Sequence, residues 1–551
     1  MTQWSLKKNP SFAGVRGPVV VCVMDGVGNG KQDEANAVWL ARKPNLDFLA
    51  KSSAVTELLA HGTAVGMPSD ADMGNSEVGH NALGAGRTFD QGAKLVDEAI
   101  KSGALFEGDV WRELSEHARK NKAPFHFIGL LSDGNVHSHI EHLLALLRRA
   151  AQDGVERARV HILLDGRDVS ETSALQYVET LEKALAEINQ SSGKDYRIAS
   201  GGGRQTTTMD RYGADWRIVE RGWTSHVLGE GRGFPDTATA IETFRSEQAG
   251  VIDQDLPPFV ITDGKGPVGR IEDGASVVLF NFRGDRALEL CQAFEQDEFP
   301  HFERKRRPKV LFAGMMEYDG DLHVPGKYLV TPPTIEETLG EYLARNQVTQ
   351  LAVSETQKFG HVTYFWNGNR SGMFDAKYER YIEIPSDRVS FDQRPWMKAA
   401  EITDTLIAEL QKGELRHARL NYANGDMVGH TGNRDAAIVA VETVDLCLGR
   451  LIPVIKKLEG ALLVTADHGN ADEMFEYDKQ GAIAVDKQGK RKAKTSHTLN
   501  HVPLYVYAPS ANIRIDTSVK GARLANIAAT TLQMMGFTPP TDFEAGLILP
   551  A

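Results

Sequence analysis

Two apolar runs in this chain, and a third strand candidate, lead into residues able to hold a metal ion. Val19-Val20-Val21-Cys22-Val23-Met24 leads into Asp25-Gly26, and Ala461-Leu462-Leu463-Val464-Thr465 into Ala466-Asp467-His468-Gly469-Asn470. Arg419-Leu420-Asn421-Tyr422 is followed by Asn424-Gly425-Asp426-Met427-Val428-Gly429-His430, and Thr495-Ser496-His497-Thr498 comes after a charged stretch. Carboxylates are hard oxygen ligands and neutral imidazole suits borderline metals, so these types together fit a Mn/Mg-type or transition-metal site. Asp426 and His430 are four residues apart, which one helical turn would bring onto one face. Asp25, Asp426, His430, Asp467, His468 and His497 make six candidate ligands, more than one tetrahedral site uses and suited to two ions. Each alone reads as a turn former or helix cap. Their joint occurrence at strand ends points to a metal cluster.

A second group is the turn-rich stretch Ser69-Asp70-Ala71-Asp72-Met73-Gly74-Asn75-Ser76, which leads into Glu77-Val78-Gly79-His80. A serine at a helix start sits near unsatisfied N–H groups and the positive end of the helix dipole, which suits a phosphoryl acceptor beside a metal. Local sequence favours the simpler reading, in which Ser76 or Ser69 caps the helix. Gly26-Val27-Gly28-Asn29-Gly30-Lys31 is Gly-rich but fits neither phosphate-loop pattern, and reads as a flexible turn.

The middle of the chain carries arginine instead. Apolar runs end in Ser132-Asp133-Gly134-Asn135-Val136-His137, in Asp165-Gly166-Arg167-Asp168, in Gly203-Arg204 with Asp210-Arg211 soon after, and in Arg283-Gly284-Asp285-Arg286. The planar guanidinium binds phosphate or carboxylate with two parallel bonds, so four such ends suggest an anionic substrate. Asp168 could exchange a proton with a substrate hydroxyl, or simply pair with Arg167.

The elements that must position these groups alternate. Strand-length runs fall at residues 18–24, 125–131, 160–164, 277–282, 310–314, 351–353, 461–465 and 502–507, and helical patterns at 139–151, 174–189, 399–412, 436–458 and 522–535. This predicts an α/β architecture with largely parallel sheets, whose ligands gather at the C-terminal ends of strands. Residues 189–195 and 476–494 are polar and read as surface excursions; 304–309 is a basic cluster that reads as a boundary or a solvated turn.

At 551 residues, two domains are the prior. The net charge, 62 − 74 = −12, argues against a broad nucleic-acid or anionic-membrane surface. Cys22, Cys291 and Cys447 match no metal or redox spacing; Cys22 and Cys447 read as buried core thiols, in keeping with a reducing compartment. With no signal-peptide pattern and no membrane-length apolar run, a cytoplasmic location is expected. The chain is expected to be a monomer.

The chain closely resembles the cofactor-independent (2,3-bisphosphoglycerate-independent) phosphoglycerate mutases of the alkaline-phosphatase-like metalloenzyme superfamily. The stretches quoted above carry the likeness, together with Met24-Asp25-Gly26, Gly74-Asn75-Ser76-Glu77-Val78-Gly79-His80, Asn281-Phe282-Arg283 and Ser354-Glu355-Thr356-Gln357-Lys358. The resemblance implies an alkaline-phosphatase-like metal domain, residues 1–89 and 318–551, interrupted by a second α/β domain at 90–317 that binds substrate. It implies two divalent ions (manganese foremost; cobalt, magnesium or zinc compatible), one on Asp25, Ser76, Asp467 and His468, the other on Asp426, His430 and His497. Ser76 would be the phosphorylated nucleophile, with Asp168 and Lys358 as further catalytic groups. His137, Arg167, Asp168, Arg204, Arg211, Arg283, Arg286 and Lys358 would contact 3- or 2-phosphoglycerate, with no need of 2,3-bisphosphoglycerate. A related metal-dependent phosphohydrolase or phosphopentomutase is the alternative. The stretch from Arg204 to Arg211 is one residue longer than the family's pattern, which puts the role of Arg204 in doubt.

Overall fold

A run such as Val19–Met24, apolar at every position, has no face to offer water and suits a parallel strand covered on both sides. All six of its residues are buried. A computed structural model describes residues 4–67, 69–90, 92–210, 215–318, 323–331, 335–478, 480–486 and 488–551. The chain forms two compact units, residues 1–91 with 334–551 and residues 92–333.

The first unit is built on a seven-stranded sheet in the order Glu379–Ile384, Gln350–Glu355, His417–Tyr422, Val19–Met24, Ala461–Thr465, Val502–Tyr507, Ala54–Leu58. The first five strands are parallel and the last two pair antiparallel. In the centre, Met24 pairs with Tyr422 and Val23 with Thr465, so three strands stop level with one another. That register delivers Asp25, the short helix Asn424–Gly429 and Asp467-His468 to one sheet edge, the expected ligand-gathering edge of an open α/β sheet. Helix Arg434–Lys457 follows, burying Ala437, Val441, Val444, Leu448 and Leu451 at helical spacing.

The second unit has an eight-stranded sheet ordered Tyr328–Val330, Leu311–Met316, Ser276–Leu279, Phe125–Leu131, Arg157–Leu164, Asp195–Gly203, Phe259–Ile261, Arg232–Phe234. Only the pairing of Asp195–Gly203 with Phe259–Ile261 is antiparallel. Leu131 pairs with Leu164 and Leu164 with Gly203, so the segments after these strands emerge together.

Several local expectations change. Residues 189–195 are no excursion: helix Ala174–Ser192 runs on to a left-handed Gly193, and Asn189 bonds both backbone groups of Tyr196, leaving a tight turn. The basic cluster folds back on its own unit, where Arg304 and Arg307 donate to carbonyls at the end of helix Leu288–Glu295. By contrast, the described residues of 476–494 are largely exposed, as a surface excursion would be, and form an irregular antiparallel ribbon with Tyr477 bridged to Ile483 and Val485 to Arg491. The turn after Asp25 is tightly packed: Gly26 has φ +74°, and a Cβ there would lie 2.5 Å from the backbone nitrogen of Asp426. The three cysteines are buried and unbridged. No helix among the described residues is long and apolar enough to cross a membrane.

Candidate metal centre

Ser76 opens helix Ser76–Ala85, but it is not the cap. Asn75 is, its side chain accepting from the N–H groups of Glu77 (3.0 Å) and Val78 (3.1 Å). The serine hydroxyl is thereby released from capping. It lies 3.0 Å from His468 Nε2, donates to Asp25 Oδ1 (3.3 Å) and accepts from Lys358 Nζ (2.5 Å). The Lys358 ammonium, fully buried, also donates to Asp25 Oδ1 (2.8 Å) and Asp426 Oδ2 (2.7 Å). A buried cation among carboxylates and a hydroxyl marks a place where positive charge is wanted.

Beside it lie Asp426, His430 and His497. His430 Nε2 is 2.8 Å and His497 Nε2 3.2 Å from Asp426 Oδ1, and the two nitrogens are 3.0 Å apart. Each imidazole turns Nδ1 to a backbone carbonyl, His430 to Thr495 (2.6 Å) and His497 to Gly74 (2.8 Å). A carbonyl can only accept, so each Nδ1 carries the hydrogen and each Nε2 offers a lone pair. Three electron-pair donors converging this closely repel one another unless a cation sits among them. The donor set therefore fits a divalent ion. Asp25, Asp467 and His468 form a second trio, and His468 also stands within reach of Asp426 and His497. His468 Nδ1 faces the Gly469 carbonyl (3.3 Å), again leaving Nε2 toward the site.

The field in this pocket is uneven. Burial and the neighbouring Asp467 push the Asp25 carboxyl up to about 7, although Lys358 opposes them. Burial also works against charge on Asp426, and the Lys358 ammonium 2.7 Å from Oδ2 opposes it. His468 is lowered by burial, against the pull of Asp467 and Asp426. A neutral imidazole is the form that binds metal.

Two residues without a role in the sequence reading stand behind these candidate ligands. Asn421, inside a strand, donates to Asp25 Oδ2 (2.7 Å) and lies 3.2 Å from His80 Nε2. His80 Nδ1 lies 2.7 Å from the Ser76 carbonyl and 3.3 Å from Asp467 Oδ2. Asn421 thus grips Asp25 from behind while Asp25 Oδ1 faces the site; Asp467 is fixed through Oδ1, which accepts the N–H groups of His468 (3.1 Å) and Gly26 (3.4 Å), and its Oδ2 is left toward His80 and His468. The only signal was a polar residue at a core position in each element.

In the second unit the strand ends gather a polar cluster. Arg204 is buried and pairs with Asp165 Oδ1 (2.9 Å) and with Asp168, so Asp168 partners Arg204. Asp165 Oδ1 accepts the N–H groups of Arg167 (3.1 Å) and Asp168 (3.0 Å), fixing that turn. Arg283 Nε (3.0 Å) and His137 Nδ1 (3.5 Å) flank Asp285, and Arg286 donates to the Met209 carbonyl (2.8 Å). Burial, then the nearby Arg204, lowers His137 well below its usual range. Asp165 and Asp285 are organisers that the sequence placed in motifs without a role. Arg211 lies outside the described residues.

Residues 17–539 match the Metalloenzyme superfamily. A Leptospira interrogans protein named as a probable 2,3-bisphosphoglycerate-independent phosphoglycerate mutase is 53% identical over 96% of this chain and 97% of its own length. The 2,3-bisphosphoglycerate-independent phosphoglycerate mutase of Trypanosoma brucei brucei is 50% identical over 97% of each chain. A crystal structure of Leishmania mexicana phosphoglycerate mutase at low cobalt concentration superposes with a TM-score of 0.97 at 47% identity, covering 99% of this chain and 100% of that one. With two Asp/His clusters around a buried serine and relatives of this likeness along nearly its whole length, the chain belongs to the cofactor-independent phosphoglycerate mutase family of the alkaline-phosphatase-like metalloenzyme superfamily.

Proposed function

We propose that this chain interconverts 3-phosphoglycerate and 2-phosphoglycerate through a phosphoserine at Ser76, without 2,3-bisphosphoglycerate. The observation that carries the reading is the Ser76 hydroxyl, uncapped at a helix N-terminus and set among Lys358, Asp25 and His468. Two divalent ions, held by Asp25, Ser76, Asp467 and His468 and by Asp426, His430 and His497, would supply Lewis-acid charge that acidifies the serine and steadies the transferred phosphoryl oxygens. Manganese is the foremost candidate for both.

Ser76 Oγ attacks phosphorus in line, and the bond from phosphorus to the glycerate oxygen breaks. The Lys358 ammonium and the helix N-terminus favour negative charge on the oxygen they face. Glycerate must then be retained while phosphate sits on Ser76, a task we give to His137, Arg167, Arg204, Arg211, Arg283 and Arg286 of the second unit, residues 92–333. Asp168, held by Arg204, exchanges the proton of the hydroxyl that leaves or receives phosphate. Transfer to the other hydroxyl completes the isomerisation. Water must be kept out meanwhile, or the phosphoserine would hydrolyse.

The test is conversion of 3-phosphoglycerate by the purified protein with and without 2,3-bisphosphoglycerate, before and after EDTA. Equal turnover with and without the bisphosphate, lost in EDTA and regained with Mn²⁺, is expected. Dependence on the bisphosphate, or activity indifferent to EDTA, would overturn it.

A further inference from the structure

The second unit buries a row of polar side chains that neither metal binding nor substrate contact accounts for. His126 Nδ1 lies 2.9 Å from His161 Nε2, and His161 Nδ1 lies 2.7 Å from Ser200 Oγ. Ser200 Oγ is in turn 2.7 Å from His226 Nδ1, and His226 Nε2 is 3.0 Å from Thr208 Oγ1. The first three residues come from adjacent strands, the fourth from the helical turn Trp223–Val227 and the last from a loop; none exceeds 2% exposure. An irregularity between Val160 and His161 shifts the strand register and brings His161 opposite Ser200.

Burial pushes His126 and His226 down to about 3 and His161 well below its usual range, so all three rings are neutral. One hydrogen per member, all pointing the same way, then satisfies the row. At its far end His126 Nε2 is buried with no hydrogen-bond partner among the described residues, so the row leads to no proton donor or acceptor there. Its work lies at the other end.

That end is Thr208, whose φ of +68° is a conformation a β-branched residue rarely adopts. The next residue, Met209, points its side chain into a cluster with Leu130 and Leu163 and its carbonyl at Arg286 Nη1 (2.8 Å). Strain of this kind persists only where the surroundings over-determine it, and it collects at functional sites. We infer that His226, backed by Ser200, His161 and His126, is a positioning residue for substrate binding: by holding Thr208 in its left-handed turn it sets the Met209 carbonyl that orients Arg286. The inference rests on the reading above of Arg286 as a substrate contact.

Asparagine at 226 can keep the Nδ1-side bond to Ser200 but falls short of Thr208, whereas glutamine reaches the Nε2 position. We expect His226→Asn to raise KM for 3-phosphoglycerate about tenfold with kcat within about twofold, and His226→Gln to stay near wild type. Thr208→Gly, which takes a positive φ without strain, should restore KM in the His226→Asn background. A purely structural row would lower thermal stability in both His226 variants alike without separating their KM values, and that outcome overturns the inference. So does a KM rise that Thr208→Gly leaves untouched. If a His226 variant fails to fold, Thr208→Val removes the same bond at constant shape, and an unchanged KM there overturns it equally. A crystal structure of His226→Asn, or of Thr208→Val, decides the point without turnover. Thr208 relaxed out of the left-handed region with Arg286 off the Met209 carbonyl supports the inference, and unmoved positions reject it. An inactive wild-type protein would instead count against the functional reading.

Discussion

At the scale of single residues, the site depends on one offset of one position in the chain. Asn75 satisfies the first N–H groups of the helix, and Ser76 is left with a hydroxyl that faces Lys358, Asp25 and His468. Asn75→Ala should destabilise this helix start by about 1 kcal/mol. It should also lower turnover by loosening Ser76; thermal unfolding and steady-state kinetics check the two effects. Ser76→Ala should abolish mutase turnover while leaving substrate affinity largely intact, measurable by calorimetric titration with 3-phosphoglycerate. The grip of Asn421 on Asp25 predicts that Asn421→Ala weakens divalent-metal affinity by about 10- to 100-fold. Direct metal titration of the apoprotein would show it. Sequence could single out Asp25, Asp467, His468, Asp426 and His430 as candidate ligands because an acid or imidazole shortly past a strand-like run is conspicuous. It could not name Asn421 or His80, since a lone polar residue inside a strand or helix gains meaning only when the sheet sets it behind a ligand. Nor did it find the cap: local sequence favoured Ser76 or Ser69, whereas Asn75, a residue type that caps equally well, takes that place.

Among the elements, the level ending of three parallel strands brings distant parts of the chain to one edge, as Met24 beside Tyr422 and Val23 beside Thr465 show. Alternating runs made the α/β class legible. Register was not, because it is set by pairing between strands hundreds of residues apart. The same limit hid the pairing of Arg204 with Asp165 and Asp168 and the irregularity that aligns His161 with Ser200. Strand Gln350–Glu355 carries a further consequence. Its last residue, Glu355, accepts from Ser386 Oγ (2.8 Å) and the Lys398 N–H (3.2 Å), yet burial pushes its carboxyl from 4.5 up to about 7. The folded state therefore binds the proton more tightly than the unfolded chain. Any stability this provides is present below pH 4.5 and is lost as the pH rises to about 7. Glu355→Gln should gain on wild type by up to about 3 kcal/mol as the pH is raised across that window. Urea unfolding on either side of it is the check, and an unchanged difference would place the Glu355 carboxyl near its ordinary range.

For the molecule as a whole, an acidic chain with net charge −12 concentrates buried cationic groups where anionic substrate would be handled: Lys358 in one unit, Arg204, Arg283 and Arg286 in the other. Both Asp/His clusters bring like-charged or lone-pair groups together, so divalent ions should stabilise the fold as well as activate it. At 100-fold excess over Kd, one ion would add about 2.7 kcal/mol, visible as a rise in Tm with Mn²⁺ that His497→Ala diminishes. The central claim is that phosphate passes through Ser76. The direct measurement is rapid acid quenching of the metal-loaded protein with 3-phosphoglycerate carrying labelled phosphate, followed by peptide mass spectrometry. Labelled phosphoserine at Ser76, absent after EDTA, is the predicted result. Full turnover with no label on Ser76, or label on another residue, would contradict it.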